Sequence, residues 1–311
     1  MTPRLFLLRW LACPLLVLVT GACGEPPPAA AAQGLEAAVY TSFEPTTWMA
    51  ERISGGLVPV VCPVPEGTDP LFWQPDREAL AAYQRAALVV LNGAGYEQWA
   101  AGASLPPSRV VEAAAGFEPE WLHYPEASAH SHGGSGLHTH SGLDGHTWLD
   151  PLQARGEARA VLAGMCRAFP QHAAELRANA RGVEADLEAL HAALEALAPR
   201  LRAAHVLASH PAYDYLARRY GFAVKSIALD PEAKLSAEES AALAAEVQPG
   251  VRNLLLWEVE PTEAAAGVPA GLASVLFSPA ELLSPAERAA GQDYLSVMRD
   301  NVARLERALG P

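Results

Sequence analysis

From residue 37 onward the apolar positions fall into short unbroken runs, and the stretches between them carry apolar residues at helical spacing. Runs at 37–41, 58–62 and 87–91, with a weaker one at 109–112, predict strands, and 46–53 and 76–86 predict helices between them. Unbroken runs suit strands covered on both faces, and their alternation with helices implies a parallel sheet. The same grammar returns at 205–209, 224–228, 253–257 and 274–277, with helices predicted over 213–220, 236–247 and 294–309. The chain thus reads as two similar α/β halves. Between them, 171–198 contains no proline and sets Leu176, Val183, Leu187, Leu190, Leu194 and Leu197 on one helical stripe. At about 1.5 Å per residue this is a rod roughly 42 Å long, bracketed by Pro170 and Pro199. Such a rod can bridge two lobes or serve as a coiled-coil dimerisation arm, and a short stripe in mid-chain favours the bridge.

Composition adds limits. A chain of 311 residues is long enough for two cores, and 50% hydrophobic with 18% charged residues excludes wholesale disorder. The net charge of -13 and the lack of a basic patch argue against nucleic acid as a partner, while an acidic surface attracts cations. At the N-terminus, Arg4 and Arg9 precede an apolar run at 10–19 that is short for a membrane span but suits the core of an export signal. It ends in Thr20-Gly21-Ala22-Cys23, which resembles a bacterial lipoprotein signal cleaved to leave a lipidated Cys23; an ordinary signal cut nearby is the alternative. The Pro- and Ala-rich residues that follow read as a tether. The expected organisation is a signal at 1–22, a tether at 23–35, a first lobe at 36–170 with a His-rich loop at 123–146, a bridging helix at 171–199 and a second lobe at 200–311. Of the four cysteines, Cys13 falls in the signal and Cys23 in the lipid site. Cys62 and Cys166 remain for an oxidising compartment, where sequence alone leaves their pairing open.

The candidate chemistry is concentrated at 130–151, which holds His130, His132, His138, His140 and His146 of the chain's 10 histidines. Neutral imidazole binds borderline ions such as zinc, and Gly/Ser spacing leaves the rings free of helical or strand geometry. The stretch is either a metal-capture loop or a solvated loop that collects zinc as a purification tag does. His210 stands apart: it follows Val206-Leu207-Ala208-Ser209 at the carboxyl end of a predicted strand and precedes Pro211 and a helix. Open parallel sheets bind ligands there, although a turn-capping histidine fits too. His172 and His191 lie on the bridging helix, His205 opens a strand, and His123 sits among Trp121, Tyr124 and Pro125. No His-Glu-x-x-His, Gly-x-Ser-x-Gly or phosphate-cradling glycine loop occurs, so a binding module is favoured over an enzyme.

Several motifs, in order, carry a resemblance. They are Gly67-Thr68-Asp69-Pro70 with Gln74-Pro75-Asp76, the stretch Leu91-Asn92-Gly93-Ala94-Gly95-Tyr96-Glu97-Gln98-Trp99, then His146-Thr147-Trp148-Leu149-Asp150-Pro151. Ser209-His210-Pro211-Ala212-Tyr213 and the 294–301 segment complete the set. From about residue 37 to the C-terminus the chain resembles the metal-specific solute-binding proteins of bacterial zinc and manganese ABC importers. The resemblance implies two Rossmann-like lobes with parallel sheets joined by one long helix, with a metal held in the cleft by His146 and His210 and released by local loop rearrangement. It further implies a monomeric lipoprotein, anchored to the membrane through Cys23 on the periplasmic or extracellular face, that delivers its ion to an ABC permease. Nitrogen-rich ligation favours zinc over manganese. Two positions depart from the family's pattern: Leu71 stands where a histidine is usual, and the alignment puts Ser278 where a carboxylate is expected. The mobile loop, through His138 and His140, is the first candidate to complete the site. Carboxylates among Asp69, Asp150, Glu258 and Glu260 are the second, and a changed cargo is the third. A zinc chaperone or buffer, or an adhesin-like lipoprotein, on the same fold remains the alternative function.

Overall fold

The computed structural model describes residues 36–124 and 142–310, and the backbone of 128–131 and 137–140. The expected signal, tether and Cys23 lie outside the described residues, as do the side chains of His138 and His140. The first half runs β1 (Glu36–Thr41), α1 (Glu44–Ser54), β2 (Val60–Val61), α2 (Arg77–Arg85), β3 (Ala86–Leu91) and β4 (Val110–Glu112). A hairpin of β5 (Ser128–Ser131) and β6 (Leu137–His140) follows, then α3 (Pro151–Ala168) and the long α4 (Ala173–Arg202). The second half is β7 (His205–Ala208), α5 (Asp214–Tyr220), β8 (Val224–Ser226), α6 (Ala237–Glu246), β9 (Asn253–Trp257), β10 (Leu272–Leu276), α7 (Pro285–Ala289) and α8 (Tyr294–Leu309).

Two four-stranded sheets result, ordered β2-β1-β3-β4 and β8-β7-β9-β10, with every pairing parallel. The two-lobed α/β architecture expected from the apolar runs is present, and both halves share one strand order. In each, the chain steps from its first strand to an edge on one side and then crosses to the other side. That leaves a crevice at the carboxyl ends of β1 and β3 in one sheet and of β7 and β9 in the other, which is where open sheets seat ligands. The central strands are continuous hydrophobic runs because helices cover both faces; β9, for example, is buried at every residue.

The six stripe residues named above on α4 are all buried, and they share one core with Val39 and Leu88 of the first sheet and Val206 and Leu254 of the second. At roughly 1.5–3 kcal/mol for each fully buried aliphatic side chain, the stripe ties the helix into both halves and is used in this chain's own core. The helix does not stop at Pro199. It continues to Arg202 because Leu201 is buried and Arg202 Nη1 donates to Tyr220 O at 2.9 Å, which offsets the single backbone bond a proline removes near a helix end.

Two elements differ from the sequence expectation. Helix α3 was not foreseen, because its buried face is made of Pro151, Gln153, Ala154, Glu157, Ala158, Val161, Gly164 and Met165 and so lacks a clear apolar stripe. A Cβ at Gly164 would lie 2.5 Å from Val111 Cγ2, so glycine lets α3 pack closely on the first sheet. The His-rich stretch, expected to be free of strand geometry, is paired as an antiparallel ladder with His130 opposite His138 and Ser128 opposite His140. Two short runs flanking a Gly-rich segment are a hairpin pattern, which its polar composition hid. Cys62 and Cys166 are both free thiols. Among the described residues no helix is long and apolar enough to cross a membrane.

Candidate metal centre

His146 enters the crevice from the first half. It precedes a single 3-10 turn, Thr147–Leu149, which leads into α3, and Asp150 caps that helix by accepting from Leu152 N at 2.9 Å. The ring is held from behind by Asp144, whose Oδ1 accepts from His146 N at 3.0 Å and lies 2.7 Å from His146 Nδ1. The Tyr124 hydroxyl stands 3.1 Å from the same oxygen and 2.8 Å from Pro211 O, so this support reaches across to the second half. With Nδ1 occupied, Nε2 faces the crevice, 2.9 Å from Glu281 Oε1. His146 is only 2% exposed. Burial alone would lower its pKa, but hydrogen bonds and charge attraction from Asp144 and Glu281 overcome that and carry it to about 10. Without a cation, the ring therefore holds a proton between two carboxylates at neutral pH.

His210 enters from the other half, two residues past β7, and its side chain is 3% exposed. Its Nδ1 lies 3.5 Å from Glu258 Oε2, the residue that follows β9. The two imidazole centroids are 5.7 Å apart at 80°. Histidines distant in sequence thus meet where the two switch points face each other, each with a carboxylate on its Nδ1 side. At His146, where the carboxylate is 2.7 Å from Nδ1, this is the pattern by which an outer carboxylate fixes a ring so that its other nitrogen can ligate.

Glu281 is the residue sequence reasoning missed. The expected position, Ser278, is instead a structural turn: Asn301 of α8 accepts from Ser278 N at 3.1 Å and donates to Ser278 O at 2.7 Å. Ala280 then takes a left-handed conformation, φ 58, which is uncommon for a residue with a Cβ, and this turns the chain so that Glu281 points back at His146. The signal was present as an acidic residue just past a strand, but counting from the strand end placed it three residues early. Asp144 was missed as well, because an acid two residues before a histidine reads as an ordinary loop residue.

The other candidates separate. Asp69 Oδ1 accepts from Leu71 N at 2.9 Å and shapes a turn, and Asp150 pairs with Arg219 at 2.6 Å besides capping α3. Glu260 lines a separate surface cavity with Arg252 and Arg304. Leu71 is buried and borders a cavity of about 490 Å³ that His146 and Tyr96 also line. Asp69, Glu232, Glu258 and Glu281 line a neighbouring cavity of about 310 Å³, an acidic approach suited to a cation. His138 and His140 lie on the backbone of β6, with side chains outside the described residues.

Among the described residues no three His, Cys, Asp or Glu side chains already form a metal cage. The donors are instead closed on one another. His146 Nε2 and Glu281 Oε1 are buried polar atoms 2.9 Å apart that face each other in the crevice. Two imidazoles and a carboxylate are the donor types that zinc accepts.

Paired parallel-sheet lobes with imidazoles and carboxylates meeting between them define the class of two-lobed solute-binding proteins. The sequence profile of the family described as the zinc-uptake complex component A, periplasmic, matches residues 39–308, and the chain belongs to that family. The resemblance read from the motifs is borne out. A putative metal-binding protein of Treponema pallidum is 29% identical over 220 residues, covering 68% of each chain. The zinc-binding lipoprotein AdcA of Streptococcus pneumoniae is 26% identical over 279 residues, covering 86% of this chain and 55% of that protein, so the chain spans about half of that relative's length. Among solved structures, the Zn(II)-bound ZnuA-like domain of the pneumococcal AdcA matches with a TM-score of 0.73 at 24% identity, covering 88% of this chain and 99% of that one.

Proposed function

We propose that this chain is the extracytoplasmic receptor of an ABC-type zinc importer, which takes a zinc ion between His146, His210 and Glu281 and hands it to the permease. The observation that carries the reading is the convergence of two buried imidazoles, 5.7 Å apart, with the Glu281 carboxylate 2.9 Å from one of them. Two nitrogen donors and one oxygen favour zinc, with manganese the second choice. The zinc-binding relatives support the same cargo.

In this reading the ion replaces a proton. His146 holds its proton between Asp144 and Glu281; a dehydrating zinc ion enters from the acidic side of the crevice, displaces that proton and parts the His146–Glu281 contact. Asp144 keeps the His146 ring turned so that its Nε2 faces the ion, and Glu258 lies beside the His210 ring. Release reverses the step when the loops that carry His146 and Glu281 shift against the permease, while α4, through its one buried face, holds the halves together. His138 and His140, on a hairpin that returns to the chain a few residues before Asp144, capture ions and raise their local concentration at the cleft. Cys23 anchors the protein by lipid to the outer face of the membrane, with 1–22 removed as the signal and 23–35 as the tether. The protein works as a monomer and as a carrier, without catalysis.

Zinc titration by calorimetry tests the site. His146→Ala and His210→Ala are each expected to weaken binding by about two orders of magnitude or more, the share of one donor in a zinc site. Unchanged affinity in both would remove the cleft from the account. Deleting 130–140 is expected to slow capture and leave the equilibrium affinity nearly intact.

A further inference from the structure

The second sheet has an open edge at β10, which pairs only with β9. Phe277 N donates to Trp257 O at 2.8 Å, so by the alternation of a parallel ladder the N–H and C=O groups of Ser274 and Leu276 point away from the sheet. Among the described residues nothing hydrogen-bonds to those outward groups. Residues 273–276 line a surface groove of about 460 Å³ whose other walls carry Arg252, Arg304 and Arg307 against a single acid, Glu260. Arg252 Nε donates to Ala308 O and Arg304 Nη1 to Asn301 Oδ1 at 3.2 Å, which fixes both side chains along the groove. Arg307 is exposed and has no side-chain hydrogen bond or ion pair among the described residues. The sequence shows no basic run here; the cluster forms only when the residue before β9 meets the last turns of α8, in a chain whose net charge is -13.

We propose that this edge docks an extended acidic segment of a second protein as an added strand. The incoming backbone satisfies the outward N–H and C=O groups of Ser274 and Leu276, and acidic side chains on its α8 side meet the arginines, whose planar donors hold carboxylates through paired hydrogen bonds. Arginines beside a free edge repel cationic strands, so they also restrict what can pair there. A second copy of this chain pairing β10 to β10 would set arginines against arginines. A flat anionic membrane surface would use the charge and leave the backbone groups of the edge unpaired. The site runs along the outer edge of the second sheet and does not depend on His146, His210 or Glu281.

The test uses the full-length mature protein and a fluorescein-labelled hexapeptide of alternating glutamate and valine, with binding read by anisotropy. Saturable binding that weakens with salt is expected, with none for the lysine–valine counterpart. The same acidic peptide N-methylated along its backbone keeps its charge, lacks N–H donors and is expected to lose binding. Arg307→Glu, which breaks no contact within the fold, is expected to weaken the acidic peptide by roughly 10- to 100-fold, the worth of a charged hydrogen bond, while leaving zinc affinity unchanged. Ser274→Pro, which removes an N–H that β9 does not use, is expected to weaken it about tenfold. No binding of the acidic peptide, or binding that Arg307→Glu leaves untouched, would overturn the site. Equal binding of the N-methylated peptide would overturn the added strand. Protein that sediments with phosphatidylglycerol vesicles through Arg307 but ignores the peptide would make the edge a membrane contact instead, and dimers that Arg307→Glu dissolves would make the occupant a second copy.

Discussion

Replacing Glu281 with glutamine keeps the side chain's shape and removes its charge, and the consequences for zinc run in opposite directions. The loss is that of an anionic donor. Apparent binding free energies of about 10–16 kcal/mol at four-donor structural zinc sites put one donor near 2.5–4 kcal/mol, roughly a hundred- to a thousandfold in affinity. The gain comes from His146, whose pKa of about 10 reflects burial, which lowers it, overcome by the hydrogen bonds and charges of Asp144 and Glu281. Zinc must displace that proton, so each unit by which the substitution lowers the pKa returns about tenfold in affinity at any pH below the new value. Asp144 remains 2.7 Å from Nδ1 in the variant, so the return is partial. Wild-type affinity is therefore expected to climb about tenfold per pH unit below pH 10, while the Glu281→Gln curve levels once the variant's lower pKa is passed. The deficit is smallest in acid and widens toward the full donor share in alkali. Competition against a fluorescent chelator from about pH 6 to about pH 9 reads both curves. Coincident curves across that range would refute the role of Glu281 as donor and as proton holder.

Further outcomes follow from the same geometry. Asp144→Asn, which disturbs the support behind His146 without touching the ion, should lower zinc affinity by about 10–100-fold in the same competition assay. Zinc binding at neutral pH should release close to one proton from His146, measurable by calorimetry in two buffers of different ionisation heat; no buffer dependence would contradict a protonated ring. The carboxyl of Glu157, buried on α3, has its pKa raised to about 7 by burial, which outweighs a hydrogen bond from Thr147. Because the folded value exceeds the ordinary one near 4.5, the stability this group contributes is complete below about pH 4.5 and is lost as pH rises through about 7. Glu157→Gln should thus gain stability relative to wild type above pH 7 and lose that advantage near pH 4.5 in chemical denaturation; a gap independent of pH would contradict it.

How far the sequence could be read follows from what each feature needs. β1, β3, β7 and β9 were legible because sheets covered on both faces require unbroken apolar runs, and α4 because its stripe repeats over many turns. α3 escaped because close packing on a sheet selects Gly164 and small or polar residues over a stripe. The edge strands β2 and β8 are only two and three residues long, shorter than their apolar runs. His210 was legible from its place at a strand's carboxyl end. His146 could be picked from its neighbours only by resemblance, since spacing did not distinguish it from the histidines of the hairpin. Glu281 depends on the turn at Ala280 and the Asn301 clamp on Ser278, tertiary features that no local pattern announces. Tyr96 was read only as part of a motif, and that its hydroxyl has no hydrogen-bond partner among the described residues is visible only once the core around it is assembled.

The central claim is that His146 from one half and His210 from the other close on a single cation. Zinc-edge X-ray absorption on protein loaded with one equivalent tests it directly, because imidazole rings give a distinctive outer-shell scattering pattern. The account predicts two histidine nitrogens at about 2.0–2.1 Å with a carboxylate oxygen at a similar distance, and one imidazole fewer in His210→Ala. A first shell of oxygen alone, or an imidazole count unchanged in both His146→Ala and His210→Ala, would contradict it.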